Sequence, residues 1–193
     1  MFALVESGSI TQMPRGNKGI QIGDIKYPAA IYTLWTEAER NAIGIYTIEL
    51  DDTNKKDEEW YNNTDITYAF SGGKVKGTYG SATAKAMDDK TVDGVVVKGL
   101  KTIKKELVDN QCAQLLAPSD WRVVKATETG DAMDSGWKTW RASVRTKCNS
   151  MQTQINNAAN VDALATLYIY VNTASEGDPV VLERPLGEFP VKA

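Results

Sequence analysis

The sequence predicts an α+β chain: a small antiparallel β domain over residues 1–90, a helical hairpin with a short third helix over 91–170, and an extended C-terminal arm over 171–193. Three observations lead there. Short apolar runs in the first half alternate with period two, as strands with one buried face do. From about residue 91 the apolar residues recur every three to five positions, placing them on one face of a helix. After Tyr170 neither period is kept, and Pro185 and Pro190 hold the residues before them extended.

The β domain begins with Ile20-Gln21-Ile22-Gly23-Asp24-Ile25, read as one strand, and continues with a second over Ile43–Leu50. Between them Thr36 is placed to cap a short helix, with Glu37 and Glu39 at its positive end and Gly44 as its stop. Ile66–Phe70 and Lys74–Tyr79 flank Ser71-Gly72-Gly73, whose glycines can take the positive φ of a tight hairpin turn. In the helical region Leu100, Ile103, Leu107, Cys112 and Leu115 form the expected apolar stripe of a helix ending before Pro118. A polar connector, Thr127–Gly136, leads to a second helix over Trp137–Asn157, with Trp140, Val144, Met151 and Ile155 at its seam and Trp137 and Cys148 beside it. Asn160 caps the third helix, through Val161, Leu164 and Leu167. Two amphipathic helices joined by a loop must bury their stripes against each other or a partner, and Trp121, Trp137 and Trp140 are expected to meet at the turn.

At 193 residues, 42% hydrophobic and 24% charged, the chain is long enough for a core that needs neither disulfide nor metal. It contains no histidine, which removes the Ser-His-Asp and Cys-His nucleophiles, histidine metal sites and the commonest general base together. The net charge of −3 gives no attraction for a polyanion, so nucleic acid is not an expected partner. Met1–Glu6 lacks the basic and apolar regions of a secretory signal, and no apolar run has the length of a membrane helix. Synthesis in a reducing cytoplasm and no membrane partner are expected, with Cys112 and Cys148 buried and reduced.

Carboxylates are the remaining catalytic candidates, and they cluster at Asp51-Asp52 and Asp57-Glu58-Glu59. Adjacent solvated acids do not provide the facing pair of a glycosidase, and the run lacks the Asp, Asn and Gly alternation of a calcium loop. It reads as a charged loop. No phosphate loop is present, so neither enzyme activity nor a cofactor is expected. Basic residues gather on the helices, at Lys98, Lys101, Lys104 and Lys105 and again at Lys138, Arg141, Arg145 and Lys147. Lys138, Arg141 and Arg145 share a face that suits solvent first, then an acidic protein surface, and last a polyanion. Tyr27, Tyr32, Trp35, Tyr46, Trp60, Tyr61, Tyr68 and Tyr79 crowd the first half, where core packing, a protein interface and a glycan platform all remain open. In the arm, Arg184-Pro185 and Phe189-Pro190 limit the entropy lost on ordering, and Leu186, Phe189 and Val191 supply apolar contacts. The segment from Glu183 to Ala193 is expected to dock on another protein, with folding back on its own domain or fraying as most termini do as the alternatives.

Several segments together resemble the tail-fibre and tail assembly (chaperone-like) proteins of tailed bacteriophages, particularly those infecting marine bacteria. They are Leu115-Leu116-Ala117-Pro118-Ser119-Asp120-Trp121, then Val123–Gly130, then Trp137-Lys138-Thr139-Trp140-Arg141-Ala142-Ser143-Val144-Arg145. Asn160–Leu164, Arg184–Phe189-Pro190 and Tyr79–Lys85 extend the likeness, and the first 60 residues share it weakly. In that group a helix ends in a Leu-rich turn, an Asp-Trp pair follows, and a connector leads to a helix opening with an aromatic-x-x-aromatic-Arg element. The resemblance implies a virion tail component, made in the host cytoplasm, that attaches or stabilises tail-fibre or tail-tip parts. Its partners would be fibre, tail-tip or baseplate proteins, with self-association also open. Arg184, Pro185, Leu186, Phe189 and Pro190 of the arm and Lys138, Arg141 and Arg145 of the hairpin are the expected interface. The alternatives are an assembly chaperone absent from the mature particle and a glycan-binding tail accessory.

Overall fold

The computed structural model describes residues 1–192, which form two compact units, Met1–Thr83 and Ala84 onward. Strands and helices are largely segregated between them, as an α+β chain requires.

In the first unit, β1 (Phe2–Glu6), β2 (Ser9–Gln12), β3 (Ile20–Ile22), β4 (Ile25–Tyr27), α1 (Ile31–Leu34), α2 (Glu37–Ala42), β5 (Ile45–Asp51), β6 (Tyr61–Asn62), β7 (Ile66–Ser71) and β8 (Lys74–Tyr79) follow in order. The main sheet has the order β2-β1-β5-β8-β7. It is mixed rather than purely antiparallel as expected, because β5 and β8 run parallel. The β7–β8 hairpin joins the sheet through its second strand, which therefore points the same way as β5. At its turn Gly72 and Gly73 have φ of 59° and 75°, the pair of positive values a two-residue hairpin turn demands.

The segment expected as one strand over Ile20–Ile25 is instead the β3–β4 hairpin, with Gly23 at φ 56° turning the chain after three residues. Alternation continued across the turn, which hid it. The short helix α2 starts as expected: the Thr36 hydroxyl accepts from the Glu39 amide, and the Glu39 carboxylate accepts from the Thr36 amide at 2.7 Å. At Gly44, φ 83°, a Cβ would lie 2.7 Å from the Val5 carbonyl oxygen, so only glycine ends the helix so close to β1. Consecutive residues of β1 serve opposite faces of the sheet. Leu4 packs with Ile20, Ile31, Tyr32 and Ile45, and Ala3 packs with Ile48 and Val75. Most of the aromatic set is spent on this packing, with Tyr32, Trp60 and Tyr61 buried and Phe2–Tyr32, Tyr27–Trp35 and Tyr46–Phe70 in ring contact.

The second unit follows β9 (Thr83–Ala84) with a two-stranded ribbon, β10 (Lys90–Val92) and β11 (Val95–Val97), whose residues are all exposed. Then come α3 (Leu100–Leu116), a 3-10 turn over Ala117–Ser119, α4 (Asp120–Thr129), α5 (Ser135–Asn157), α6 (Val161–Thr166) and the short strands β12 (Val171–Asn172) and β13 (Leu182–Glu183). α3 and α5 form the predicted antiparallel pair, and Asn160 caps α6 by accepting from the Ala163 amide at 2.9 Å.

The buried stripe of α3 is Leu100, Lys104, Val108 and Cys112, spaced by four, while Ile103 and Leu107 of the expected stripe are nearly half exposed. A row at spacing four is the ridge that a neighbouring helix groove accepts. Lys104 enters it by burying its methylene stem and resting its ammonium 4.9 Å from the Tyr168 ring centre. On α5 the seam is Arg141, Val144, Cys148, Met151 and Ile155, so the heptad reading holds with Arg141 in the place given to Trp140.

Candidate protein-docking surface

The end of α3 decides the geometry of this region. Pro118 cannot extend the helix, the 3-10 turn over Ala117–Ser119 follows, and α4 begins at Asp120. Carbonyls at a helix end need donors, and here the Leu116 carbonyl accepts from the Ser119 hydroxyl at 2.8 Å and from Arg141 of α5. Its guanidinium donates to the Leu116 carbonyl at 2.8 Å, to the Ser119 hydroxyl, and to Asp120 at 2.6 Å. Arg141 and Ser119 are both buried. This overturns the expectation that Arg141 shares an outward face with Lys138 and Arg145: its charge is directed inward and answered by Asp120.

α4 itself is unusual in having no buried residue over its ten positions. Trp121, Val123 and Val124 are exposed. It is tied down by Asp120 and by Arg122, whose guanidinium lies 4.6 Å from the ring centres of both Trp121 and Trp137. Trp137 meets Trp140 edge to face at 5.6 Å, but Trp121 is exposed and makes no ring contact with either, reaching Trp137 only through the Arg122 guanidinium, so two of the three expected tryptophans pack together and the third does not. Between α4, the connector and α5 runs a groove of about 420 Å³. Val123, Ala126, Ala132 and Met133 give it an apolar lining, Lys138 and Arg145 a basic edge, and Thr127 and the buried Arg141 complete it. Neither Lys138 nor Arg145 has an acidic partner among the described residues.

The arm lies elsewhere from its expected docking role. Leu186 is 1% exposed within its own unit, its amide donating to the Leu167 carbonyl and its carbonyl accepting from the Lys147 ammonium. The Trp140 indole donates to the Pro190 carbonyl at 2.9 Å. Arg184 pairs with Glu188 at 2.7 Å and lies 5.2 Å from the Tyr170 ring centre. Pro185 is exposed, and Phe189 and Pro190 are half-buried. The alternative reading, folding back, describes this segment, because Leu186 is buried and its backbone is hydrogen-bonded to Leu167 and Lys147.

No cluster of histidine, cysteine or acidic side chains able to hold a metal occurs among the described residues. Asp51 and Asp57 cap local turns by accepting from Thr53 and from the Glu59 amide, consistent with a charged loop. Hydrogen bonds from Thr53 hold the Asp51 carboxyl below its ordinary value. Cys112 and Cys148 are buried, and burial together with the neighbouring Cys112 thiol pushes Cys148 up to about 11. Among the described residues no helix is long and apolar enough to cross a membrane.

Lys138 and Arg145 are exposed on α5, as expected from the sequence, whereas the α4 groove beside them was not expected. Its signal was present in Trp121, Val123 and Val124, a cluster of large apolar residues on a helix too short to reach the seam of the hairpin. No family model, curated protein or solved structure matches the chain.

Proposed function

We propose that this chain is a non-enzymatic interaction protein, a structural or adaptor component of a bacteriophage tail that attaches or stabilises fibre or tail-tip parts through protein contacts. The observation that supports an interaction role is α4: a ten-residue helix with no buried residue, exposing Trp121, Val123 and Val124 beside a groove edged by unpaired Lys138 and Arg145. Tryptophan and arginine next to an apolar groove are the residue types that dominate protein interfaces. The tail assignment is supported by the resemblance carried by Leu115–Trp121 and Trp137–Arg145.

Quantitative mass spectrometry of purified tailed particles, compared with the clarified lysate, tests this reading. The chain is expected in the particles in fixed ratio to the tail proteins. Recovery in the lysate alone would move the assignment to the assembly chaperone, and recovery with neither particles nor tail proteins would remove the tail from its function.

A further inference from the structure

We infer that the groove between α4 and the first half of α5 receives an acidic amphipathic helix of a partner protein, its carboxylates two turns apart to meet Lys138 and Arg145. This rests on reading the α4 face as a docking surface and names the chemistry of its occupant.

The argument starts from the charges. Lys138 and Arg145 are seven residues apart on one continuous helix, which sets their Cα atoms about 10 Å apart along the axis on nearly the same face. Arg141 lies between them and also lines the groove, but its side chain is only 6% exposed and its guanidinium is engaged by Leu116, Ser119 and Asp120, so its charge is already answered. The result is two separated cations rather than a continuous basic stripe. A facing helix with Asp or Glu at positions i and i+7 presents negative charge at the same interval, whichever way it runs.

The lining excludes other occupants. No carboxylate lines the groove itself, so a basic segment seated between Lys138 and Arg145 would meet like charge there, while Asp131 and Asp134 line only the adjoining hollow on the far side of Ala132 and Met133. Val123, Ala126, Ala132 and Met133 form an apolar strip along it, which a helix covers with residues on the face adjoining its acids. A nucleic acid or other polyanion would satisfy the two cations and leave Val123 and Met133 wet. The net charge of −3 would also work against it. Met133 suits such a groove because an unbranched thioether adapts to the shape it meets.

Selection of a displayed library of random peptides of helical length on the immobilised full chain tests the inference. The enriched peptides are expected to combine large apolar residues at helical spacing with Asp or Glu seven positions apart. Binding of a representative peptide should weaken at least tenfold in the double variant Lys138→Glu/Arg145→Glu and with added salt. It should be unchanged in Thr146→Glu, which adds a negative charge at an exposed position of α5 outside the lining. Thr146→Glu also controls for folding of a charge-altered α5. A selected set without enriched acids, or one whose binding survives the double variant, overturns the proposal. Heparin binding through Lys138 and Arg145 without peptide enrichment overturns it in favour of polyanions. A chain found in particles that selects no acidic peptides would sink this inference alone, whereas absence from particles and lysate tail proteins would sink the tail assignment while leaving the groove chemistry standing.

Discussion

Arg141 donates to a helix-end carbonyl, a hydroxyl and a carboxylate from a site that is 5% exposed. Removing it takes the charged donor from the Leu116 carbonyl, which keeps only the Ser119 hydroxyl, and from the Ser119 oxygen, and hydrogen bonds from a charged donor contribute more than neutral ones. Arg141→Met should therefore lower unfolding free energy by about 2–4 kcal/mol in urea titration. Asp120→Asn should cost much less, because solvent already screens that more exposed carboxylate. Equal losses would mean that the ion pair, and not the capping of α3, is what matters. Cys148 gives a second prediction at this scale. Its pKa is raised to about 11 by burial, so between the ordinary thiol range and about pH 11 the folded chain keeps a proton that the unfolded chain releases. The contribution is full below that window and falls as pH rises through it. Comparing unfolding of the wild type and Cys148→Ala from pH 8 to 11 should show a shallower decline in the variant, and parallel curves would count against it. The same burial predicts slow reaction of the native thiols with alkylating reagents and rapid reaction in denaturant.

At the scale of elements, the end of the chain belongs to the helical unit. Leu186 is fully buried, so Leu186→Ala should cost about 2–5 kcal/mol, measured as a lowered denaturation midpoint. Trp140→Phe keeps an aromatic side chain but loses part of the indole and its hydrogen bond to the Pro190 carbonyl, so a cost of about 1–2 kcal/mol is expected. Hydrogen exchange at the Leu186 amide, which donates to Leu167, should accelerate in the Leu186 variant. A Leu186→Ala chain as stable as the parent would restore the picture of a free arm. Some elements were legible in advance because their signals are local: the Gly72-Gly73 turn, the Thr36–Glu39 cap and the Asn160 cap each depend on residues within four positions. Others were not. The parallel pairing of β5 with β8 depends on which strand of a hairpin docks, and nothing within either strand encodes that. The α3 stripe was misplaced because Ile103 and Leu107 outweigh Lys104 on any hydropathy count, although a lysine stem over Tyr168 fills a core position. Lys138, Arg141 and Arg145 do lie on one arc of α5, but the rotation of a helix about its axis is set by its neighbours, and that rotation turned the middle one inward.

For the whole molecule, the β10–β11 ribbon governs behaviour in concentrated solution. Asp93 and Gly94 at φ 50° and 78° favour its turn strongly, yet Val92, Val95, Val96 and Val97 are all more than half exposed. A preformed strand with an open hydrogen-bonding edge is a template for a second strand, and a net charge of only −3 supplies weak repulsion between copies. Light scattering should therefore show purified chain clustering as concentration rises, most steeply near its pI of about 5.1. Val96→Lys, which places a charge in the middle of β11, should suppress this without lowering the unfolding midpoint, because the side chain has no core to leave. A scattering profile unmoved by that substitution would assign the clustering to another surface. A ribbon ordered in advance and left open makes shelf life a property of three residues, Val95, Val96 and Val97, rather than of thermodynamic stability.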